Sequence, residues 1–159
     1  MIGGRFQLDL SGLKGVTPGE LRKASAIAVM AGASPVKAAV VSNAEGIKRF
    51  GFTAKSVRIR RRFYAASLRM VAIVGPSRKY VRTKGKFTRG PKKGQPRKHV
   101  PAKVAHLVEK GTKRSRARKF ISPALAATWK LYEQRVRDRF GREIEAAIAR
   151  RAARAARPR

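Results

Sequence analysis

The sequence predicts an α+β fold: an N-terminal helix, kinked or broken, a small antiparallel β-sheet with a hairpin, a long basic loop, and a long C-terminal amphipathic helix. Three observations predict it. Two helix-start signals, Thr17-Pro18 and Ser34-Pro35, open alanine-rich stretches. Two short runs of β character follow, and apolar residues then recur every three or four positions from Leu125 to Ile148. A length of 159 residues, 43% of them hydrophobic, suits one domain with a core. That domain is assigned to residues 1–150, with an Arg/Ala-rich basic tail at 151–159.

Thr17 reads as an N-cap with Pro18 at the first helical position, and Leu21, Ala24, Ala28 and Ala31 follow at helical spacing. Ser34-Pro35 repeats the signal ahead of Val36, Ala39, Val40 and Asn43. A broken pair meeting near Gly32, or one helix kinked at Pro35, is expected. Residues 55–63 alternate Val57 and Ile59 with Lys55, Arg58 and Arg60, as a half-buried strand does. Residues 67–74 form a more apolar strand ended by Gly75-Pro76, and the short connection after Tyr64 predicts an antiparallel hairpin. From Ser77 to Pro101, Gly and Pro punctuate Lys and Arg, and Phe87 is the one large apolar residue between Val81 and Val100. That composition reads as a long basic loop, which in a compact domain is functional or disordered. VAHLVEKG at 104–111 resumes as a short helix or strand. Ser122 then caps the last helix with Pro123 in its first turn, and the stripe Leu125, Trp129, Tyr132, Val136, Phe140, Ile144 and Ile148 follows. Continuation of this helix into the Arg/Ala tail toward Pro158 is expected.

Forty Lys and Arg against eight Asp and Glu give a formal charge of +32. Self-repulsion at that charge opposes compaction, so the working state is expected against polyanion, either nucleic acid or acidic protein neighbours. The hydrophobic fraction argues against a wholly disordered basic protein. The absence of cysteine excludes disulfides and thiolate metal sites. No apolar run approaches the roughly 20 residues that span a bilayer, and the N-terminus lacks the pattern of a signal peptide. A soluble intracellular product with no membrane partner is expected.

An enzyme is hard to assemble from these residues. His99 and His106 are the only histidines and have no clustered carboxylates. GKFTRGPKKGQ lacks the Gly-Lys-Ser/Thr ending of a phosphate-binding loop, and no Gly-x-Ser-x-Gly element is present. No catalytic residue, metal or cofactor is therefore expected. Arg78, Lys79, Arg82, Lys84, Lys86, Arg89, Lys92, Lys93, Arg97 and Lys98 suit contact with phosphates or acidic partners, without base readout. Tyr80, Phe87 and Phe120 among these charges either stack on bases or anchor loops to the core, the commoner use. A nucleoid or ribosomal protein binding DNA or RNA independently of sequence shares this composition.

Residues 105–125, AHLVEKGTKRSRARKFISPAL, precede the long amphipathic helix. They resemble the signature of a family of head–tail joining proteins of lambda-like long-tailed bacteriophages, labelled neck, tail-completion or minor tail proteins, with protein Z of lambda a distant relative. His106, Glu109, Gly111, Thr112, Phe120, Pro123, Ala124 and Leu125 match the family pattern in order, while Lys119 replaces its usual proline. Upstream, Gly51 and Ser56 fit the family's turn into a hairpin, but Phe50 and Thr53 depart from it, as does Pro35 within the helix. The insert at 77–101 is longer than is typical.

The resemblance implies an α+β subunit of a homo-oligomeric ring between portal and tail tube, in the neck or upper tail of the virion, made in the host cytoplasm. Six-fold symmetry is expected from phage tails in general. Neighbouring connector and tail proteins, and phage DNA held without sequence preference in the lumen, are the implied partners. The matched residues then have structural roles: Gly111 a tight turn, Thr112 a cap or turn bond, Phe120 and Leu125 the seating of the final helix. Glu109 is expected either to pair with a basic residue or to be solvated.

Overall fold

A computed structural model describes residues 16–47, 51–64 and 69–156. Eight elements follow in order: α1 (Pro18–Glu45), α2 (Gly51–Ser56), β1 (Val57–Tyr64), β2 (Arg69–Pro76), β3 (Arg82–Lys86), β4 (Pro96–His99), α3 (Pro101–Lys110) and α4 (Ile121–Ala155). The α+β class and the two long helices at the ends of the described chain are as the sequence predicts.

α1 starts where the Thr17-Pro18 signal places it. The Thr17 Oγ1 accepts from the Glu20 N–H at 3.3 Å, while the Glu20 carboxylate accepts from the Thr17 N–H at 2.9 Å and hydroxyl at 2.7 Å. This reciprocal capping box satisfies donors that the first helical turn leaves orphaned. The broken-pair expectation is corrected: α1 is one helix with Pro35 inside it. Proline lacks an N–H, so the Ala31 carbonyl loses its intrahelical donor there; Val29 and Ala33 before Pro35 and Val36 and Val40 after it are buried. The bilayer expectation also needs correction. At 28 residues α1 is long and apolar enough to cross a membrane, by length and composition alone. Ala24, Ala28, Val29, Ala33, Val36, Val40 and Ala44 are nevertheless buried within the protein, as in the core helix of a globular fold.

The chain divides into two compact units that share several elements. Met1–Val36, Ile59–Ile73 and Ala126–Arg159 make the first, and Lys37–Arg58 with Val74–Leu125 the second. In the first, Ala24 and Ala28 of α1 pack with Val136, Phe140 and Ile144 of α4, with Val16, Leu21 and Tyr132 at the margin. Gly32 allows this close approach, since a Cβ there would lie 2.5 Å from a Val136 methyl and 3.0 Å from the Tyr132 carbonyl oxygen. Trp129 stacks on Tyr132 at 5.3 Å, and burial, with Glu133 beside it, raises the Tyr132 hydroxyl above its ordinary pKa. The apolar stripe of α4 is buried from Val136 to Ala147, whereas Ile148 is 49% exposed. Arg151, one turn further on, pairs with Glu20 at 3.4 Å.

β1 and β2 form a two-stranded sheet. Their four-residue connection permits only antiparallel pairing. The strand begins at Val57 because residues 51–56, expected as a turn and the start of a strand, form the short helix α2. Its Ser56 hydroxyl donates to the Thr53 carbonyl at 2.7 Å. In the second unit α2 packs on α3, and Thr53, Ala54, Ser56, Val57, Ala105, Phe120 and Ala124 are buried.

Candidate polyanion-binding surface

The segment expected to be a long loop carries a second antiparallel hairpin, and this is a correction. β3 pairs with β4 through Arg82–His99, Thr83–Lys98 and Lys86–Pro96, with the register shifting between Thr83 and Lys86. Gly85, at φ 64°, takes the left-handed conformation that such a bulge needs. Phe87 exchanges backbone bonds with the far side, its N–H donating to the Gln95 carbonyl at 3.0 Å and its carbonyl accepting from Gly94 at 2.9 Å. Two overlapping turns then close the tip: Lys93 N–H donates to the Gly90 carbonyl and Gln95 N–H to that of Lys92, both at 3.0 Å. Sequence reasoning missed the strands because their residues, RTKGK and PRKH, are polar on both faces and carry no hydrophobic alternation.

This hairpin displays the predicted contact residues. Arg82, Lys86, Arg89, Lys92, Lys93, Arg97 and Lys98 are exposed on it, and Arg78 and Lys79 are exposed on the turn that leads into it. The side chain of Lys84 lies outside the described residues. Ser77, itself buried, holds that turn: its carbonyl accepts from Tyr80 N–H at 3.2 Å and its hydroxyl from Lys79 N–H at 3.3 Å. Arg97 sits 6.0 Å from the Phe87 ring centre, and an open cleft of about 390 Å³ is lined by Phe87, Lys92, Gln95, Pro96 and Lys98. From Gly46 to Val108 the sequence has no Asp or Glu, so no carboxylate on these elements neutralises the cations. A phosphate chain that pairs with exposed Lys and Arg releases its own condensed cations, which favours binding without sequence preference.

The residues of the 106–125 motif meet at a different place, the start of α4. Glu109, in the last turn of α3, turns its carboxylate onto that helix N-terminus. One oxygen accepts from Phe120 N–H at 2.9 Å and Ile121 N–H at 3.1 Å; the other accepts from Ser122 N–H at 2.9 Å and Ser122 Oγ at 2.6 Å. The expected Ser122 cap is thereby corrected: α4 begins at Ile121, Ser122 and Pro123 lie inside its first turn, and the cap comes from α3. Burial, the strongest single influence on Glu109, opposes its charge. The bonds from Phe120, from the Ser122 hydroxyl and from the Ile121 and Ser122 N–H groups together outweigh burial and hold the carboxyl below its ordinary pKa.

The rest of the motif supports this joint. Gly111 ends α3 at φ 78° and ψ 179°, a conformation open essentially to glycine alone. A Cβ there would lie 2.7 Å from Ala117 N and 2.9 Å from the Ser115 carbonyl oxygen. Thr112 pairs with Ser115 in an isolated bridge and its hydroxyl accepts from Arg114 N–H at 3.2 Å. Arg118 N–H returns to the Val108 carbonyl at 2.8 Å. Phe120 is fully buried, and its carbonyl accepts from the Asn43 side chain at 3.2 Å. Leu125 is half-buried, while His106 and Pro123 are exposed. Phe120 is thus an anchor, the second of the two uses open to it from the sequence.

Among the described residues no cluster of three or more His, Cys, Asp or Glu is placed to hold a metal ion. The structure does not bring the motif and the basic hairpin into one site: the first is a helix joint, the second a displayed charged surface. Comparisons with protein-family models, with curated proteins and with solved structures find no match to this chain.

Proposed function

We propose that this chain is a structural subunit of the head–tail connector of a tailed bacteriophage, a ring component that joins the DNA-filled head to the tail and surrounds the DNA channel. The observation that carries this reading is the use of the motif. Glu109, Gly111 and Phe120 serve to lock α3 against the start of α4, and an architectural use of these positions is what the family resemblance implies. The basic hairpin supplies the second part. Its exposed cations fit a lumen through which DNA passes, or the acidic surface of an adjoining ring, and neither task requires base readout. A homo-oligomer, six-fold as phage tails generally are, with connector and tail proteins above and below, completes the proposal, and no catalytic step belongs to it.

Tails assembled without this protein test the role. They are expected to remain unjoined to filled heads in electron micrographs, and normal joining refutes the proposal. The exposed cationic hairpin also favours a second reading, a sequence-independent DNA- or RNA-binding protein of nucleoid or ribosomal type. Such a protein binds free duplex or ribosomal RNA with steep salt dependence and needs no virion partner. Recovery with purified particles rather than with cellular nucleic acid separates the two.

A further inference from the structure

The β1–β2 hairpin has two faces of opposite character. Its inner face carries Val57, buried, and Ile59, Phe63, Met70, Ala72 and Val74, half-buried; Arg22 of α1 stands over the Phe63 ring at 4.5 Å. Its outer face carries Arg60, Arg62 and Tyr64 from β1 and Arg69, Val71 and Ile73 from β2, all exposed. The Ser77 N–H donates to the Ser56 carbonyl at 2.9 Å, just beyond the ends of the two strands. Because the two strands are neighbours in one sheet, Arg60 and Arg62 of β1 share the outer face with Val71 and Ile73 of β2. A cationic row therefore runs beside an apolar one.

Tyr64, Val71 and Ile73 are 45%, 38% and 46% exposed, and they are three of the seven large hydrophobic side chains exposed among the described residues. Their concentration on one face distinguishes a patch from ordinary scatter. We infer that this outer face docks an acidic amphipathic helix of a partner protein, with apolar side chains seated on Val71 and Ile73 and flanking carboxylates on Arg62 and Arg69. The surface is not one that the proposed connector role invokes, and the inference stands apart from it.

Charge and polarity together select this occupant. Phosphates of a nucleic acid satisfy the arginines but leave the branched side chains against polar backbone. A second copy of this chain, set face to face, places arginine against arginine, because neither strand contains an acid. An acidic helix satisfies both rows, and a helix laid on a sheet is a common way for proteins to cover an apolar sheet face. Burial of the exposed parts of Val71 and Ile73 is expected to strengthen binding about tenfold over charge alone.

The test uses fluorescence anisotropy of the full chain with three probes. These are a helical peptide rich in Glu with a Leu stripe, a peptide of equal charge with Gln in place of Leu, and a random DNA duplex. The Leu peptide is expected to bind about tenfold more tightly than the Gln peptide. The pair Val71→Ser and Ile73→Ser should abolish that preference and leave duplex binding unchanged. Equal affinity for the two peptides overturns the inference, as does a preference that survives the serine pair. Parallel loss of duplex and peptide binding in that pair also overturns it, assigning the face to nucleic acid. Should the serine pair fail to fold, Arg62→Glu with Arg69→Glu keeps the apolar row and is expected to lose the Leu peptide; undiminished binding overturns the inference.

Discussion

Glu109→Ala removes the carboxylate that ties the last turn of α3 to the start of α4. Three backbone N–H groups and the Ser122 hydroxyl, all bonded to the carboxylate at 2.6–3.1 Å, lose their acceptor. A lost N-cap alone costs about 1 kcal/mol. A hydrogen bond to a charged group contributes about 1.5–3 kcal/mol, though four bonds to one carboxylate are far from additive. Glu109 is half-buried, so water can replace part of the loss. The expected destabilisation is about 2–4 kcal/mol, or a thermal midpoint lower by about 5–12 °C for a chain of this size. Urea unfolding at neutral pH, repeated on acidification, measures it. The folded carboxyl is held below its ordinary pKa, so the unfolded chain takes up the proton first. The stabilisation is therefore full above the ordinary glutamate pKa of about 4.3 and disappears as pH falls through the lower folded value. The gap between wild type and variant should narrow in acid accordingly. A gap under about 0.5 kcal/mol at neutral pH, or one that stays constant in acid, refutes the capping account.

Gly32→Ala should destabilise by about 1–3 kcal/mol despite the better helix propensity of alanine, because its Cβ meets Val136 and the Tyr132 carbonyl; an unchanged or raised midpoint counts against the packing described. Gly111→Ala is expected to cost more than about 2 kcal/mol, since positive φ and a close approach to Ala117 N act together, and chemical denaturation reads the loss. Replacing Arg89, Lys92, Lys93 and Arg97 with Gln should leave the thermal midpoint nearly unchanged, because these side chains are exposed. It should also flatten the dependence of duplex affinity on salt by about 0.9 in logarithmic slope for each phosphate contact removed. An unchanged slope would take the hairpin out of nucleic-acid contact.

Helix starts and long stripes were legible in the sequence because each rests on local chemistry. Thr17-Pro18 marks the start of α1, and Val136, Phe140 and Ile144, placed on one face by spacing alone, form the core with Ala24 and Ala28. At Pro35 the sequence left two readings open, a broken pair or one kinked helix, and local chemistry alone does not choose the continuous helix that forms. The Glu109 cap was hidden for a related reason: a carboxylate eleven to thirteen residues from its donors leaves no short-range capping pattern, and the Ser122-Pro123 pair offered a misleading local one. At the surface the cationic residues could be named individually, but their display on a hairpin could not. Strand pairing there comes from backbone bonds and glycine turns, and no apolar period announces it.

A cryo-electron microscopy reconstruction of the neck in intact virions tests the connector proposal most directly. The proposal predicts a ring of this chain at the head–tail junction, with residues 78–98 facing the DNA channel or an acidic surface of an adjoining ring. Particles that join heads to tails without the chain contradict it, and residues 78–98 on the outer, solvent-facing wall contradict the assigned contact.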